Sequence, residues 1–186
     1  MNSKSLAVVV ATASIVTVAC QQAPQQAAAP SPAERGKYLV TIGVCNDCHT
    51  PWKLGEKGPE PDMTRMLSGH PEGMKLPPAA GVQPPWGVVG ALSMTAWSGP
   101  WGVSYTANLT PDQETGTGSW SEENFIKALR TGKHLGAGRD ILPPMPWDWY
   151  SKMTDDDLKA IFAYLKTIPP IRNKVPDPIP PPPMGK

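Results

Sequence analysis

Cys45-Asn46-Asp47-Cys48-His49 sets two thiols at i and i+3, with an imidazole at the next position. Thiols spaced by one turn can each add across one of the two vinyl groups of a porphyrin. The residue that follows then brings its imidazole under the iron as proximal ligand. The pentad therefore reads as the attachment site of one covalently bound haem c, with Cys45 and Cys48 as thioethers and His49 on the metal. A thioether is not reducible, which suits a cofactor held outside the cell. A thioredoxin-like dithiol would require a strand before the motif and a βαβ context. A zinc site would require a second ligand pair, and the one other cysteine is Cys20. A structural disulfide across a helical turn is sterically poor.

The second axial position has more claimants: Met63, Met66, Met74, Met94, Met145, Met153 and Met184, together with His70 and His134. Met145 stands out because Pro143, Pro144 and Pro146 surround it. A stiff loop is what holds a weak thioether ligand against a metal. His134 is the rival ligand, and an open or weakly ligated iron is the other alternative. His70, in Leu67-Ser68-Gly69-His70-Pro71, reads as a hydrogen-bonded loop residue.

These groups must be positioned by a chain of 186 residues with 24 prolines and 7 tryptophans. Proline fixes φ and removes a backbone donor, so a small helical core wrapped in long loops is expected. The segment 1–19 carries one charge, Lys4; beyond it, basic and acidic residues number 16 each. This balance does not suggest an electrostatic grip on nucleic acid, which needs a basic face. Leu6 to Val18 is an apolar run too short for a membrane span and suited to a signal peptide. Thr17-Val18-Ala19-Cys20 resembles a lipobox, with Cys20 as the lipidated first residue of the mature chain. Ordinary cleavage after Ala19 or Ala29 is the alternative. Residues 20–32 form a Gln/Ala/Pro tether, 33–171 the folded domain and 172–186 a proline-rich tail, expected to be extended and exposed.

Three helices are predicted in the domain. The first runs from Ala33 to about Asn46, with Tyr38, Leu39, Ile42 and Cys45 on one face. The second begins after Ser121, an N-cap followed by Glu122 and Glu123, and stops at Gly132. The third is capped by Thr154 and carries the stripe Leu158, Ile161, Phe162, Leu165 and Ile168 before Pro169 and Pro170. Residues 50–120, rich in proline, glycine and tryptophan, read as an irregular insertion with at most a short strand pair or helical turn. The expected class is all-α, a small helical bundle around one haem.

The order of these pieces resembles a class I c-type cytochrome: CNDCH on the first helix, a middle helix, ILPPMPW, then MTDDDLKAIFAYLKTIPP. ANLTPDQETGTGSWSEENFIKALRTGKH is similar to a stretch of bacterial cytochrome c domains, including those of periplasmic alcohol and gluconate dehydrogenase cytochrome subunits. The resemblance covers about Glu34 to Pro170 and implies haem c on Cys45 and Cys48, with His49 and Met145 as axial ligands. It also implies that the first and last helices cross beside the haem, with Gly36 permitting close approach and Tyr38 or Leu39 facing Leu158, Phe162 or Leu165. Those subunits carry three haem motifs and this chain one, so the resemblance is to a single domain. His49 and Met145 lie 96 positions apart, and the extra length falls in residues 51–105, expected to cover a haem face or to form a partner surface.

Two filled axial sites leave one-electron transfer as the natural chemistry, with methionine ligation favouring a positive potential. The reading is a periplasmic or membrane-tethered electron carrier rather than an enzyme. Its partners would be redox proteins: a donor dehydrogenase or quinol-oxidising complex, and an acceptor oxidase or reductase. The alternatives are a haem enzyme or ligand sensor with an open sixth position, and a module fixed in a larger membrane complex.

Overall fold

The computed structural model describes residues 28–77 and 85–181. Cys20, the signal segment and Met184 lie outside the described residues. The architecture is not all-α. Among the described residues five α-helices are accompanied by two small antiparallel sheets, and this corrects the expected class.

The helical frame follows the sequence closely. Helix α1 (Pro32–Ile42) opens on a reciprocal cap, in which Ser31 accepts from the Glu34 backbone and Glu34 reaches back to Ser31. Helix α3 (Glu122–Thr131) is capped by Ser121 and ends at Gly132, left-handed at φ 66°. Helix α5 (Asp155–Leu165) is capped by Thr154, and Arg35 of α1 pairs with Asp157 in its first turn at 3.0 Å. Leu39 and Val40 of α1 pack with Leu158, Ile161, Phe162 and Leu165 of α5 and with Phe125 and Leu129 of α3 in one core.

The α1–α5 crossing turns on Gly36. A Cβ there would lie 1.9 Å from the Ala160 carbonyl oxygen and 2.8 Å from Tyr164 Cβ. Leu39 faces α5 as anticipated, but Tyr38 is exposed and stacks under Arg35 at 5.6 Å. Ile42, placed on the same face by periodicity, is also exposed.

The insertion supplies the strands. Strand β1 (Trp52–Gly55) pairs with β2 (Gly58–Pro61) across the two-residue turn Glu56-Lys57. Strands β3 (Val89–Gly90), β4 (Ala96–Gly99) and β5 (Gly102–Tyr105) form a second sheet in that order. Along β5, Gly102 and Ser104 are buried while Val103 and Tyr105 are less so. This is the two-residue period of a half-covered strand, written in residues too few and too small to register as alternating hydrophobics.

The tail, expected to be extended and exposed, is tied down over its described part. Val103 and Ile179 exchange both backbone hydrogen bonds, at 2.8 and 2.9 Å, so residue 179 adds to the outer edge of β5. Asn173 is 1% exposed. Its Nδ2 donates to the Ser68 and His70 carbonyls at 2.7 and 2.9 Å, and its Oδ1 accepts from the Glu72 amide at 2.7 Å. No helix among the described residues is long and apolar enough to cross a membrane.

Candidate functional site

The first helix stops before the pentad. Gly43 caps α1, Val44 takes a left-handed conformation at φ 50°, and Cys45–His49 form a separate one-turn helix, α2. Two free thiols and the imidazole thus share one turn on a fresh axis. The side chains differ in environment. Cys45 packs against the core, and burial pushes its thiol up to about 11. Cys48 is half-buried and raised less strongly, by burial and then by the Asp47 carboxylate.

His49 is buried, and loss of hydration holds its imidazole below its ordinary value, in the neutral form. Its Nδ1 lies 2.8 Å from the Ala107 carbonyl oxygen, which fixes Nδ1 as the protonated nitrogen. Nε2 takes no hydrogen bond among the described residues and keeps a lone pair. A neutral imidazole, oriented through one nitrogen and open at the other, is a metal ligand in waiting. With two unpaired thiols one turn away, this donor set fits a covalently attached haem.

The Ala107 carbonyl is held in turn by the following loop. Asn108 is buried; its Oδ1 accepts from the Thr110 amide and hydroxyl, and its Nδ2 donates to the Ile171 carbonyl at 2.8 Å. Leu109 donates its amide to Leu67 at 2.9 Å. Lys166, at the end of α5, donates to the Thr117, Gly118 and Trp120 carbonyls. Ala107 was missed by sequence reasoning because a backbone carbonyl has no residue-type signature; Asn-Leu-Thr-Pro-Asp beside it was the available signal. From the other side, Gly69 donates its amide to the His49 carbonyl at 2.7 Å.

Met145 lies in the loop between α3 and a short helix, α4 (Trp147–Tyr150), which the sequence reading did not anticipate. It is half-buried and packs against the same core as Cys45 and Tyr150. The Tyr150 hydroxyl donates to the Gly43 carbonyl at 2.6 Å, so the chain beyond Met145 is tied to the cap of α1, two residues before the pentad. Desolvation, followed by the two cysteines, pushes the Tyr150 phenol up to about 12, so it stays a donor. Gly132 lets the Trp147 indole lie against the α3 terminus, where a Cβ would meet that ring at 2.4 Å.

The remaining histidines are engaged elsewhere. His70 is fully buried, with Nδ1 3.0 Å from Thr95 Oγ1, Nε2 3.3 Å from the Met74 carbonyl and its ring 4.7 Å from Tyr105. That is the structural role read from its loop. His134 makes an edge contact with Trp120 at 5.1 Å. Among the described residues no group of three His, Cys, Asp or Glu side chains forms a metal cluster.

No family model matches the chain. Curated relatives do. A nicotinate dehydrogenase subunit of Pseudomonas putida is 38% identical over 143 residues, 77% of this chain and 9% of that protein. The fructose dehydrogenase cytochrome subunit of Gluconobacter japonicus is 31% identical over 145 residues, 77% of this chain and 23% of that one. The gluconate 2-dehydrogenase cytochrome c subunit of Pantoea cypripedii is 30% identical over 164 residues, 88% and 28%. The chain carries a cytochrome c domain. It spans between 9% and 28% of the length of these three relatives, so the likeness is that of one domain to a segment of a longer protein.

Proposed function

We propose that this cytochrome c domain is a one-electron carrier that binds a single haem c through Cys45 and Cys48, with His49 and Met145 as axial ligands. The observation that carries the reading is His49: buried, neutral, oriented through Nδ1 by the Ala107 carbonyl, and adjacent to two unpaired thiols. Bound there, haem supplies an iron centre that gains and loses one electron. The protein's part is to keep that change from requiring movement. Cys45 and Cys48 would hold the group to α2 through two thioethers, each formed by addition of S–H across a vinyl group. The Ala107 carbonyl holds the His49 ring in one orientation and tautomer. The Asn108 and Lys166 bonds stop that carbonyl from drifting. The core at the α1–α5 crossing packs against Cys45 and Met145, and an apolar surround lowers the reorganisation that accompanies charge change.

The one Cys-x-x-Cys-His motif supports a monohaem state. The relatives are named as dehydrogenase subunits, which supports a dehydrogenase as donor, with a quinol-oxidising complex as the other candidate donor and an oxidase or reductase as acceptor. Export to the periplasmic side and lipidation at Cys20 rest on the N-terminal sequence and the tether behind it.

The test is spectroscopic. Co-expressed with haem-maturation proteins, the chain gains the mass of one haem, and Cys48→Ala reduces covalent loading. The oxidised protein shows a weak long-wavelength methionine-sulfur-to-iron band, which Met145→Ala abolishes. Carbon monoxide binding at once to the unsubstituted protein, with no such band, overturns the carrier reading in favour of an open iron.

A further inference from the structure

The insertion touches the methionine loop at one polar point. Ser104, on β5, is 6% exposed, and its hydroxyl lies 2.5 Å from the Pro143 carbonyl oxygen and 3.4 Å from that of Trp97. A hydroxyl has one proton to give, and the shorter distance assigns it to Pro143. The same oxygen accepts from Trp101 Nε1 at 3.2 Å. The result is a relay in one direction, indole N–H to hydroxyl to carbonyl, in which each bond polarises the next.

We infer that Ser104 is a positioning residue for Met145, so that the inserted sheet acts as a brace for the distal ligand; the inference rests on the axial role proposed for Met145. Three observations carry it. Among the described residues, no other side chain hydrogen-bonds to residues 142–145. The segment's ends are tied elsewhere, Ile141 to the Gly132 carbonyl at 2.7 Å and Tyr150 to Gly43. Without Ser104 no hydrogen bond among the described residues ties residues 142–145 to another part of the fold; the Met145 amide on the Leu142 carbonyl, at 3.4 Å, is internal to the stretch. Pro143 stands two residues before Met145, and the ring of Pro144, the single residue between them, fixes its φ, which shortens the flexible path from the anchored carbonyl to the thioether. Finally, β5 is itself held from both sides, by β4 and by the two backbone bonds between Val103 and Ile179. Gly102 sits so close to the tail that a Cβ would fall 2.0 Å from the Ile179 carbonyl oxygen. A brace must be stiffer than what it supports, and a strand paired on both edges is.

The experiment uses the haem-loaded full chain and imidazole as competing ligand. Imidazole can reach the iron only in the fraction of molecules whose methionine has left, so its apparent affinity reports that fraction. Ser104→Ala raises the apparent imidazole affinity about fivefold, the factor that one net hydrogen bond carries. Ser104→Thr, which keeps the hydroxyl, returns it to within about twofold of the starting protein. A role confined to folding would lower the melting temperature and leave the imidazole titration in place; that result overturns the inference, as does failure of threonine to rescue. If S104A does not fold, Trp101→Phe, which removes the indole donor and keeps an aromatic ring, carries the test: tighter imidazole binding supports the brace and an unchanged titration overturns it. Met145→Ala, measured alongside, separates the two ideas. If it retains the sulfur-to-iron band, the axial assignment fails and takes the brace with it. If it loses the band while S104A behaves as the parent, only the brace fails.

Discussion

Replacing Gly36 with alanine tests the helix crossing on which the site is built. The added Cβ would meet the Ala160 carbonyl oxygen at 1.9 Å, the carbonyl carbon at 2.6 Å and Tyr164 Cβ at 2.8 Å. Two of these atoms are α5 backbone, so no rotamer change relieves the overlap. The helices must part by more than an ångström, and close packing between Leu39, Val40, Leu158 and Leu165 is lost with the separation. Overpacking of a tight core costs about 1–3 kcal/mol, and a backbone clash belongs at the upper end. Alanine returns about 1 kcal/mol through its helix propensity. The net is about 2 kcal/mol of destabilisation, or a melting temperature lower by about 4–8 °C at ~2–4 °C per kcal/mol for a chain of this size. The assay is thermal unfolding of the haem-loaded full chain, followed by circular dichroism, beside Lys37→Ala on the exposed side of the same helix. Lys37→Ala should stay within about 0.5 kcal/mol of the parent. A G36A protein as stable as the parent, or more stable, would refute the argument that close backbone approach decides the residue at this position.

Other expectations follow from contacts already described. Asn173→Ala strips partners from the Ser68, His70 and Glu72 backbone groups, and should lower the urea midpoint by the equivalent of about 2–4 kcal/mol at unchanged m. His70 is held below its ordinary value chiefly by burial. The unfolded chain therefore takes up that proton first, and the stability His70 contributes is complete above about pH 6.5 and lost as pH falls through its folded value. A pH series of denaturant midpoints should show this loss, and His70→Gln should flatten it. Lys166→Met removes a donor from three carbonyls, of which that of Thr117 keeps the Trp120 amide, so it should destabilise by more than the ~0.5 kcal/mol typical of a surface change. It should also broaden the signals of the His49 ring in proton NMR of the reduced, haem-loaded protein.

Legibility in the sequence depended on how local each determinant was. The caps at Ser121 and Thr154, the stop at Gly132 and the stripe on α5 are set by residues within a turn or two, and the sequence alone determined them. The pentad is equally local: three side chains on one helical turn define the donor set wherever the turn is placed. The all-α assignment failed where locality failed. The 50–120 segment leaves room for a short strand pair, which β1 and β2 fill, but β3, β4 and β5 are two- to four-residue strands whose pairing depends on partners supplied by the fold. The exposure of Tyr38 and Ile42 had a similar cause: periodicity says which residues share a face, and the α5 crossing at Gly36 decides which part of that face is covered.

The carbonyl that orients His49 comes from 58 residues away, the hydroxyl that reaches Pro143 from 39 and the amide that seals His70 from 103. A backbone oxygen has no residue-type signature, and a serine or asparagine is ordinary until it is buried with a partner. The sequence by itself determined which atoms could bind a cofactor and which helices would carry them. The tertiary structure decided how rigidly those atoms are held, because orientation is set by hydrogen bonds between segments that meet only once the chain has folded.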